Sequence, residues 1–244
     1  MSHIEKIASL INLRRLCRLP LQALRDYDVK IMSVPPGNDT QRAIMWCAVG
    51  GGAIAIAHNQ VNANAGANTV DAATQSDRPM LCTPMRDNNA VGNRTLATAR
   101  VMAGNADLWV TTTQTGCSVL VLDWGLPGYS MVHLQPSLAM QFNRTGRGIM
   151  NTGDSPRRAY QNFWLKQELT AVATNTGGLP ERYILIQSQF DARSQSVQIL
   201  GVRNGNGFDF YRQRRARGYG GGNGRTVEQL RWTPWNRWLP YWSS

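Results

Sequence analysis

Short apolar segments separated by glycine-containing turns follow one another closely between residues 107 and 134, and this spacing limits the fold more than any other feature. Segments of this length that are rich in Val, Leu, Thr and Tyr predict strands, and short turns predict antiparallel neighbours. The segments are Asp107–Thr112, Cys117–Trp124 and Tyr129–Leu134, with Gly116 and the run Gly125-Leu126-Pro127-Gly128 between them. Further strands are predicted at Arg182–Gln189, Ser196–Val202 and Phe208–Tyr211, and a hairpin at Arg42–Cys47 with Ala53–His58.

Two segments have helical patterns instead. In the first, residues 3 to 19, Ser2 and Glu5 have capping-box spacing and Pro20 ends the pattern. The second, residues 156 to 173, opens near a proline. Residues 59 to 96 are rich in Asn, Ala, Thr, Asp and Gly without a clear period, and most of them are predicted to be loop. We therefore expect one α+β domain over residues 1–244, a mainly antiparallel sheet or sandwich with flanking helices.

Cysteine and histidine usage excludes several classes of protein. The four cysteines are too far apart in sequence for a disulfide scaffold or a zinc ribbon. The three histidines, His3, His58 and His133, have no metal-site spacing, and their number limits histidine-based acid–base chemistry. No cleavable secretory signal is visible, and no apolar stretch is long enough to span a bilayer, so we expect no transmembrane segment.

The charge of the chain is strongly positive, with a formal net charge of +11. Only three of the 26 basic residues are lysines. The segment from about residue 212 to 244 is rich in Arg, Gly and Trp, and its stretch from Arg215 to Arg225 resembles an RGG-type RNA-binding segment. A basic balance favours acidic partners, so a nucleic-acid-binding protein is one reading of this sequence. A solvated basic loop would have the same composition.

One cysteine and one histidine have the placement of a catalytic pair. Cys117 begins one predicted strand and His133 lies near the end of the next, so an antiparallel pair puts both at the same end. A thiol within hydrogen-bond reach of an imidazole is an activated nucleophile. Gly116 leaves room for a substrate carbonyl, and the Cys117 amide is then a candidate oxyanion donor. A small core cysteine beside a hydrogen-bonded histidine at the rim of a sheet would also fit the pattern.

The stretch Thr111-Thr-Thr-Gln-Thr-Gly-Cys117-Ser-Val-Leu-Val, with Tyr129-Ser-Met-Val-His133-Leu after it, resembles the catalytic core of the glutamine-deamidase toxin family. The cytotoxic necrotizing factors and Burkholderia lethal factor 1 belong to that family, and the chemoreceptor deamidase CheD shares the arrangement. The resemblance covers residues 111 to 134. It departs from the family pattern at Gln114-Thr115, where the toxins have Leu-Ser.

The resemblance implies a fold similar to the necrotizing-factor catalytic domain. It also implies that Cys117 is the nucleophile, that His133 is the base and that Thr111 orients the imidazole. The implied activity converts a glutamine of a host protein to glutamate without a metal or organic cofactor. The host proteins implied are a DEAD-box translation initiation helicase or a Rho-family GTPase. We accordingly expect a monomeric toxin that is made in a bacterial cytoplasm and is secreted or delivered to the host cytosol. A cysteine protease or a transglutaminase uses similar chemistry and remains open.

Overall fold

The structure of the protein is a computed structural model, and it describes residues 3–37, 39–87, 100–114, 117–126, 128–135, 179–187, 196–217 and 223–235. The helices in these ranges are α1 (His3–Arg18), α2 (Pro20–Asp26) and α3 (Gln60–Ala67). The helix predicted over residues 156 to 173 lies outside the described residues. None of the helices in the described ranges has the length and apolar character needed to cross a membrane.

The strands of the described ranges form three sheets. Sheet 1 has the order β1 (Asp28–Ile31), β4 (Ala53–Ala57), β3 (Trp46–Gly50), β5 (Thr74–Gln75). Sheet 2 has the order β14 (Asn223–Gln229), β13 (Gly207–Arg217), β12 (Ser196–Asn204), β8 (Leu108–Thr111), β6 (Met80–Thr83), β2 (Gln41–Ala43). Sheet 3 has the order β15 (Thr233–Pro234), β11 (Arg182–Gln187), β9 (Ser118–Asp123), β10 (Tyr129–Gln135), β7 (Met85–Asp87).

Most neighbouring strands are antiparallel, and the parallel pairs are β1 with β4, β6 with β8, and β7 with β10. The expected α+β class, with mainly antiparallel sheets and flanking helices, is confirmed.

Sheet 2 lies in the middle because its strands carry apolar side chains on both faces. In β8, Leu108 and Val110 join the core shared with sheet 1, α1 and α2, whereas Trp109 joins the core shared with sheet 3. The alternating faces of one strand thus supply two cores. Alanines pack α3 onto the other face of sheet 1. The layers therefore run α3, sheet 1, sheet 2, sheet 3.

The predicted hairpin of Arg42–Cys47 with Ala53–His58 is wrong in its first strand. That segment is divided between β2, which pairs with β6 in sheet 2, and β3, which pairs with β4 in sheet 1. The chain changes sheets at the fully buried Met45. Backbone hydrogen-bonding groups of Met45 are satisfied by Ser76, whose hydroxyl accepts from the Met45 amide at 3.2 Å. A continuous β pattern in the sequence hides this crossing.

Helix α3 occupies a region predicted to be loop, so that prediction is wrong there. Asn59 caps its N-terminus by accepting from the Asn62 amide at 2.9 Å. Asn68 ends it in the left-handed conformation, with φ at 54°. The asparagines that suggest loop are therefore the caps of the helix, and the small residues between them let it pack closely on sheet 1.

Most of the basic C-terminal segment that the structure describes is strand, in sheet 2 (β13 and β14) and sheet 3 (β15). Strand β13 continues six residues past its predicted end at Tyr211, as far as Arg217, and β14 pairs along this extension. Within it, Gln213 points inward and bonds the Val29 amide and the Leu24 and Tyr27 carbonyls. These buried hydrogen bonds tie the extension to sheet 1 and α2. The segment is therefore not a free basic loop over residues 212–217 and 223–235.

Candidate active site

The register of β9 and β10 brings the predicted cysteine and histidine to the same end of sheet 3. The pairing runs from Tyr129 opposite Asp123 to Leu134 opposite Ser118. Cys117 directly precedes β9, and His133 lies opposite Val119, so the two residues are diagonal neighbours across the strand pair. Diagonal neighbours are typically about 7–8 Å apart, within reach of long side chains. Both residues lie on the same face of sheet 3 as Val119, the face that packs against sheet 2.

His133 is fully buried, and its ring is held by the predicted threonine. The Thr111 Oγ1 atom lies 2.7 Å from His133 Nδ1. The same hydroxyl donates to the Thr83 carbonyl at 2.8 Å. A carbonyl only accepts and a hydroxyl has one hydrogen, so the Thr111 oxygen must accept from His133 Nδ1–H. His133 is thereby fixed in the tautomer that carries its proton on Nδ1.

The other ring nitrogen, Nε2, is buried and has no hydrogen-bond partner among the described residues. Burial lowers the pKa of His133 to about 3, so the imidazole is neutral at neutral pH. Leaving a buried polar atom unpaired typically costs about 1–3 kcal/mol. Such atoms are rare in folded proteins and are often functional. His133 Nε2 is thus a free acceptor, the form that a general base requires.

Cys117 is 5 % exposed, and its Sγ lies 3.8 Å from the Sδ atom of Met85. Met85 stands beside His133 in the parallel pairing of β7 with β10. Cys117 forms no disulfide with the other cysteines. Because His133 Nε2 has no partner within the part of the chain that the structure describes, the Cys117 thiol is not hydrogen-bonded to it. Catalytic hydrogen bonds often form only in the substrate complex, so a shift of the Sγ atom would complete the pair.

The remaining cysteines of the chain are Cys17, Cys47 and Cys82. Burial raises the pKa of Cys17, Cys47 and Cys82 to about 12 in each case. Thiols with such values stay protonated and inert at neutral pH. These three thiols are therefore not candidates for a nucleophile at neutral pH.

A β-bulge separates β8 from the cysteine. Along the regular part of the pairing, Leu200 lies opposite Val110. Farther on, the Gln114 amide and carbonyl bond those of Val197 at 2.8 and 2.9 Å. The segment between Val110 and Gln114 thus contains one residue more than the segment of β12 between Val197 and Leu200. Such an insertion changes which face the following side chains occupy.

Gly116, the predicted approach site for a carbonyl, lies outside the described residues. Two residues that the sequence does not suggest are Thr83, whose carbonyl orients Thr111, and Met85, which contacts Cys117. Both are placed by parallel pairings, β6 with β8 and β7 with β10, between segments far apart in the chain. A single sequence has no periodic signal for such pairings.

No group of three His, Cys, Asp or Glu side chains in the described ranges is arranged to hold a metal ion. Comparisons of the chain with protein-family models, with curated proteins and with solved structures find no match.

Proposed function

We propose that the protein is a cysteine-dependent protein-glutamine deamidase, in which Cys117 is the nucleophile and His133 the general base. One observation carries the proposal. The Thr111 hydroxyl, which donates to the Thr83 carbonyl, holds His133 with its proton on Nδ1, and Nε2 is left unprotonated at the end of the sheet where Cys117 lies. A nucleophile, a base and a third group that orients the base together form a catalytic triad.

The first half of the reaction forms a thioester. His133 Nε2 takes the thiol proton as the Cys117 sulfur attacks the side-chain carbonyl carbon of the substrate glutamine. The resulting tetrahedral intermediate carries a negative oxygen, for which the Cys117 amide is the candidate donor. His133 then returns the proton to the amide nitrogen, and the C–N bond breaks to release ammonia.

The second half hydrolyses the thioester. A water molecule loses its proton to His133 Nε2 and attacks the thioester carbon, and the C–S bond breaks as His133 protonates the sulfur. The products are a glutamate side chain and the original thiol. The net reaction consumes one water and releases one ammonia, and none of these steps calls on a metal or an organic cofactor.

Thr111 has a positioning role in this scheme. When His133 is protonated, both ring nitrogens donate, and the Thr111 oxygen continues to accept from Nδ1. The ring therefore does not have to turn during the cycle. Thr111 itself is on β8, a strand buried on both faces in the middle sheet, so the support is rigid.

Burial of the site restricts what reaches it. Cys117 is 5 % exposed and His133 is not exposed at all. A glutamine side chain therefore reaches the sulfur only when the site opens. We infer that a folded target protein supplies the binding energy for opening, as expected for a host-targeting toxin. A DEAD-box translation initiation helicase or a Rho-family GTPase is the target that the family resemblance favours.

The test is peptide mass spectrometry on eukaryotic lysate treated with wild type or Cys117→Ala. We expect conversion of glutamine to glutamate at one or a few sites, by the wild type alone. Methylamine added to a parallel sample separates the neighbouring activities, because a transglutaminase would attach it to the glutamine. Peptide-bond cleavage would indicate a protease instead. A proteome that the wild type leaves unchanged would refute the proposal.

A further inference from the structure

Among the described residues, three glutamine side chains are buried in sheet 2 or beside it, and one of them differs from the others. Gln198 accepts from the Ile31 amide and Thr113 and donates to the Thr111 carbonyl. Gln213 is likewise bonded through both its oxygen and its nitrogen. Gln114 is fully buried, and neither its Oε1 nor its Nε2 has a hydrogen-bond partner among the described residues.

The bulge puts the Gln114 side chain on the face of sheet 2 that carries the site. Gln114 and Val197 lie directly opposite each other in an isolated antiparallel bridge, so their side chains are on the same face of the sheet. Val197 belongs to the core between sheets 2 and 3. Thr111 reaches His133 across the same layer. Side chains three residues apart in a regular strand point to opposite faces of the sheet. Thr111 and Gln114 lie on the same face only because the β-bulge adds one residue between them.

An unpartnered amide here costs folding free energy that a nonpolar side chain of similar size would not cost. The amide group has one donor side and one acceptor side, which is the complement of another primary carboxamide. Gln114 also occupies one of the two positions at which the chain departs from the Leu-Ser of the family it resembles. A bound carboxamide would supply a partner to both unpartnered atoms of Gln114.

We propose that Gln114 is a substrate-binding residue whose side-chain amide pairs with the carboxamide of the substrate glutamine at Cys117. The inference rests on the proposed deamidase function and adds the group that selects an amide. The Gln114 Nε2–H donates to the substrate carbonyl oxygen and continues to do so as that oxygen becomes negative. The Gln114 Oε1 accepts from the substrate NH2 group.

This pairing discriminates between substrate and product. A glutamate carboxylate has no N–H to donate, so it would face the Gln114 oxygen with another acceptor. The carboxamide therefore binds more tightly than the carboxylate, and the product leaves readily. A site built to hydrogen-bond one group rejects an analogue that lacks it because its buried polar atoms are then unpaired.

The first arm of the test compares Gln114→Met with the matched variant Gln198→Met by thermal unfolding. Gln114→Met removes two unpartnered polar atoms, so its melting temperature is expected to equal or exceed that of the wild type. Gln198→Met removes a fully bonded amide and is expected to melt at a lower temperature. A fall for Gln114→Met as large as that for Gln198→Met would overturn the proposal, because it would give Gln114 an ordinary structural role.

The second arm measures alkylation of Cys117 by iodoacetamide, which carries a carboxamide, and by iodoacetate, which carries a carboxylate. Each rate is divided by that of the same cysteine in urea-unfolded protein, with peptide mass spectrometry as the readout. Wild type is expected to prefer iodoacetamide by about tenfold, a modest share of what specific hydrogen bonding can supply. Gln114→Met is expected to lose that preference, and retention of it would overturn the proposal.

The two arms do not depend on turnover, so they separate this inference from the proposed function. An iodoacetamide preference that requires Gln114, with no glutamine converted in lysate, would uphold the carboxamide site and reject the deamidase. If a target is converted, Gln114→Met is expected to lower kcat/KM on it by about 100-fold, a typical loss for one oxyanion donor. An unchanged kcat/KM would contradict the inference while leaving the deamidase intact.

Discussion

His133 is the residue whose state decides whether the site is able to act as a base. Its tautomer follows from a chain of two hydrogen bonds, from Nδ1 to the Thr111 hydroxyl and from that hydroxyl to the Thr83 carbonyl. Removing the middle member would remove the only acceptor for Nδ1–H that the described residues supply. The histidine would then be free to change tautomer or to turn.

Thr111→Val tests this chain because valine keeps the shape and removes the hydroxyl. We expect a loss of about 1–3 kcal/mol in the free energy of unfolding, since Nδ1–H is left buried and unpaired. Nitrogen NMR of the histidine ring is expected to report a proton on Nδ1 in the wild type and a mixture or the other tautomer in Thr111→Val. Thr111→Ser keeps the hydroxyl and should restore the wild-type spectrum. A wild-type ring protonated on Nε2 would contradict the assignment.

Burial of His133 predicts a pH dependence of stability. The pKa of His133 is lowered from an ordinary value of 6.5 to about 3, so between these values the unfolded chain binds a proton that the native protein does not. The contribution of the neutral, buried ring to the free energy of unfolding is complete above pH 6.5. This contribution is lost as the pH falls toward 3, by at most about 1.4 kcal/mol per pH unit. Urea unfolding at several pH values measures the free energy of unfolding and its pH dependence.

The control for that measurement is His133→Leu, because other groups also titrate in acid. The difference between wild type and variant isolates the histidine, and the variant should lose less stability between pH 6.5 and 4. Parallel curves for the two proteins would show that His133 is not buried as a neutral ring.

At the scale of secondary structure, β8 shows which features of the site can be predicted from a single sequence and which cannot. The turn that returns the chain past Cys117 predicts that His133 lies at the same end of the next strand, and the family resemblance implies that Thr111 orients the imidazole. Thr111 lies on β8 in sheet 2, across the core from β9 and β10 in sheet 3. The bulge after Val110 was not predictable, because a period of two puts Gln114 on the face opposite Thr111. The unpaired amide of Gln114 is visible only in three dimensions.

The two errors in predicted elements have the same origin. Between Gln41 and Gly50 the sequence has a uniform β pattern, although the chain changes from sheet 2 to sheet 1 within it. The period of a sequence predicts a strand but does not predict which sheet the strand joins. In α3 the loop-forming asparagines are caps, and the helix is stabilised by its contact with sheet 1 rather than by its own weak pattern. Tertiary contacts decide both cases.

Close packing of β12 against its neighbours predicts a strong effect at Gly201. A Cβ atom built there would lie 2.8 Å from Phe210 Cε1 and 2.9 Å from Trp109 Cβ. Gly201→Ala is therefore expected to lower the free energy of unfolding by about 1–3 kcal/mol through overpacking. Gly224→Ala in β14 is the matched control, since a Cβ there meets nothing within 4 Å. Equal midpoints of urea unfolding for the two variants would contradict the packing described.

In the whole molecule, sheet 2 connects the site to the rest of the fold. It provides Thr111 and the bulge on one face and packs against sheet 1 and helices α1 and α2 on the other. Part of the net charge of +11 lies on the arginines of β13, some of which form ion pairs. Arg212 pairs with Glu228, and Arg215 pairs with Asp28 at 2.5 Å.

The charge predicts weak binding to nucleic acid without sequence preference. Non-specific binding of this kind depends on contacts between arginines and phosphates, so we expect the affinity for single-stranded RNA to fall steeply with salt. The ion pairs of Arg212 and Arg215 reduce the number of such contacts and keep the binding weak. Fluorescence anisotropy with a labelled RNA at low and high salt measures this, and Cys117→Ala should bind as the wild type does. Tight, sequence-dependent binding at high salt would favour a nucleic-acid-binding protein instead.

The central claim is that Cys117, His133 and Thr111 act together on a glutamine side chain. The most direct measurement is the rate at which purified variants convert glutamine to glutamate in eukaryotic lysate, followed by peptide mass spectrometry. We predict full activity for wild type, near-full activity for Thr111→Ser, a partial rate for Thr111→Val, and none for His133→Leu or Cys117→Ala. Conversion by Cys117→Ala at the wild-type rate, or no conversion by the wild type, would contradict the claim.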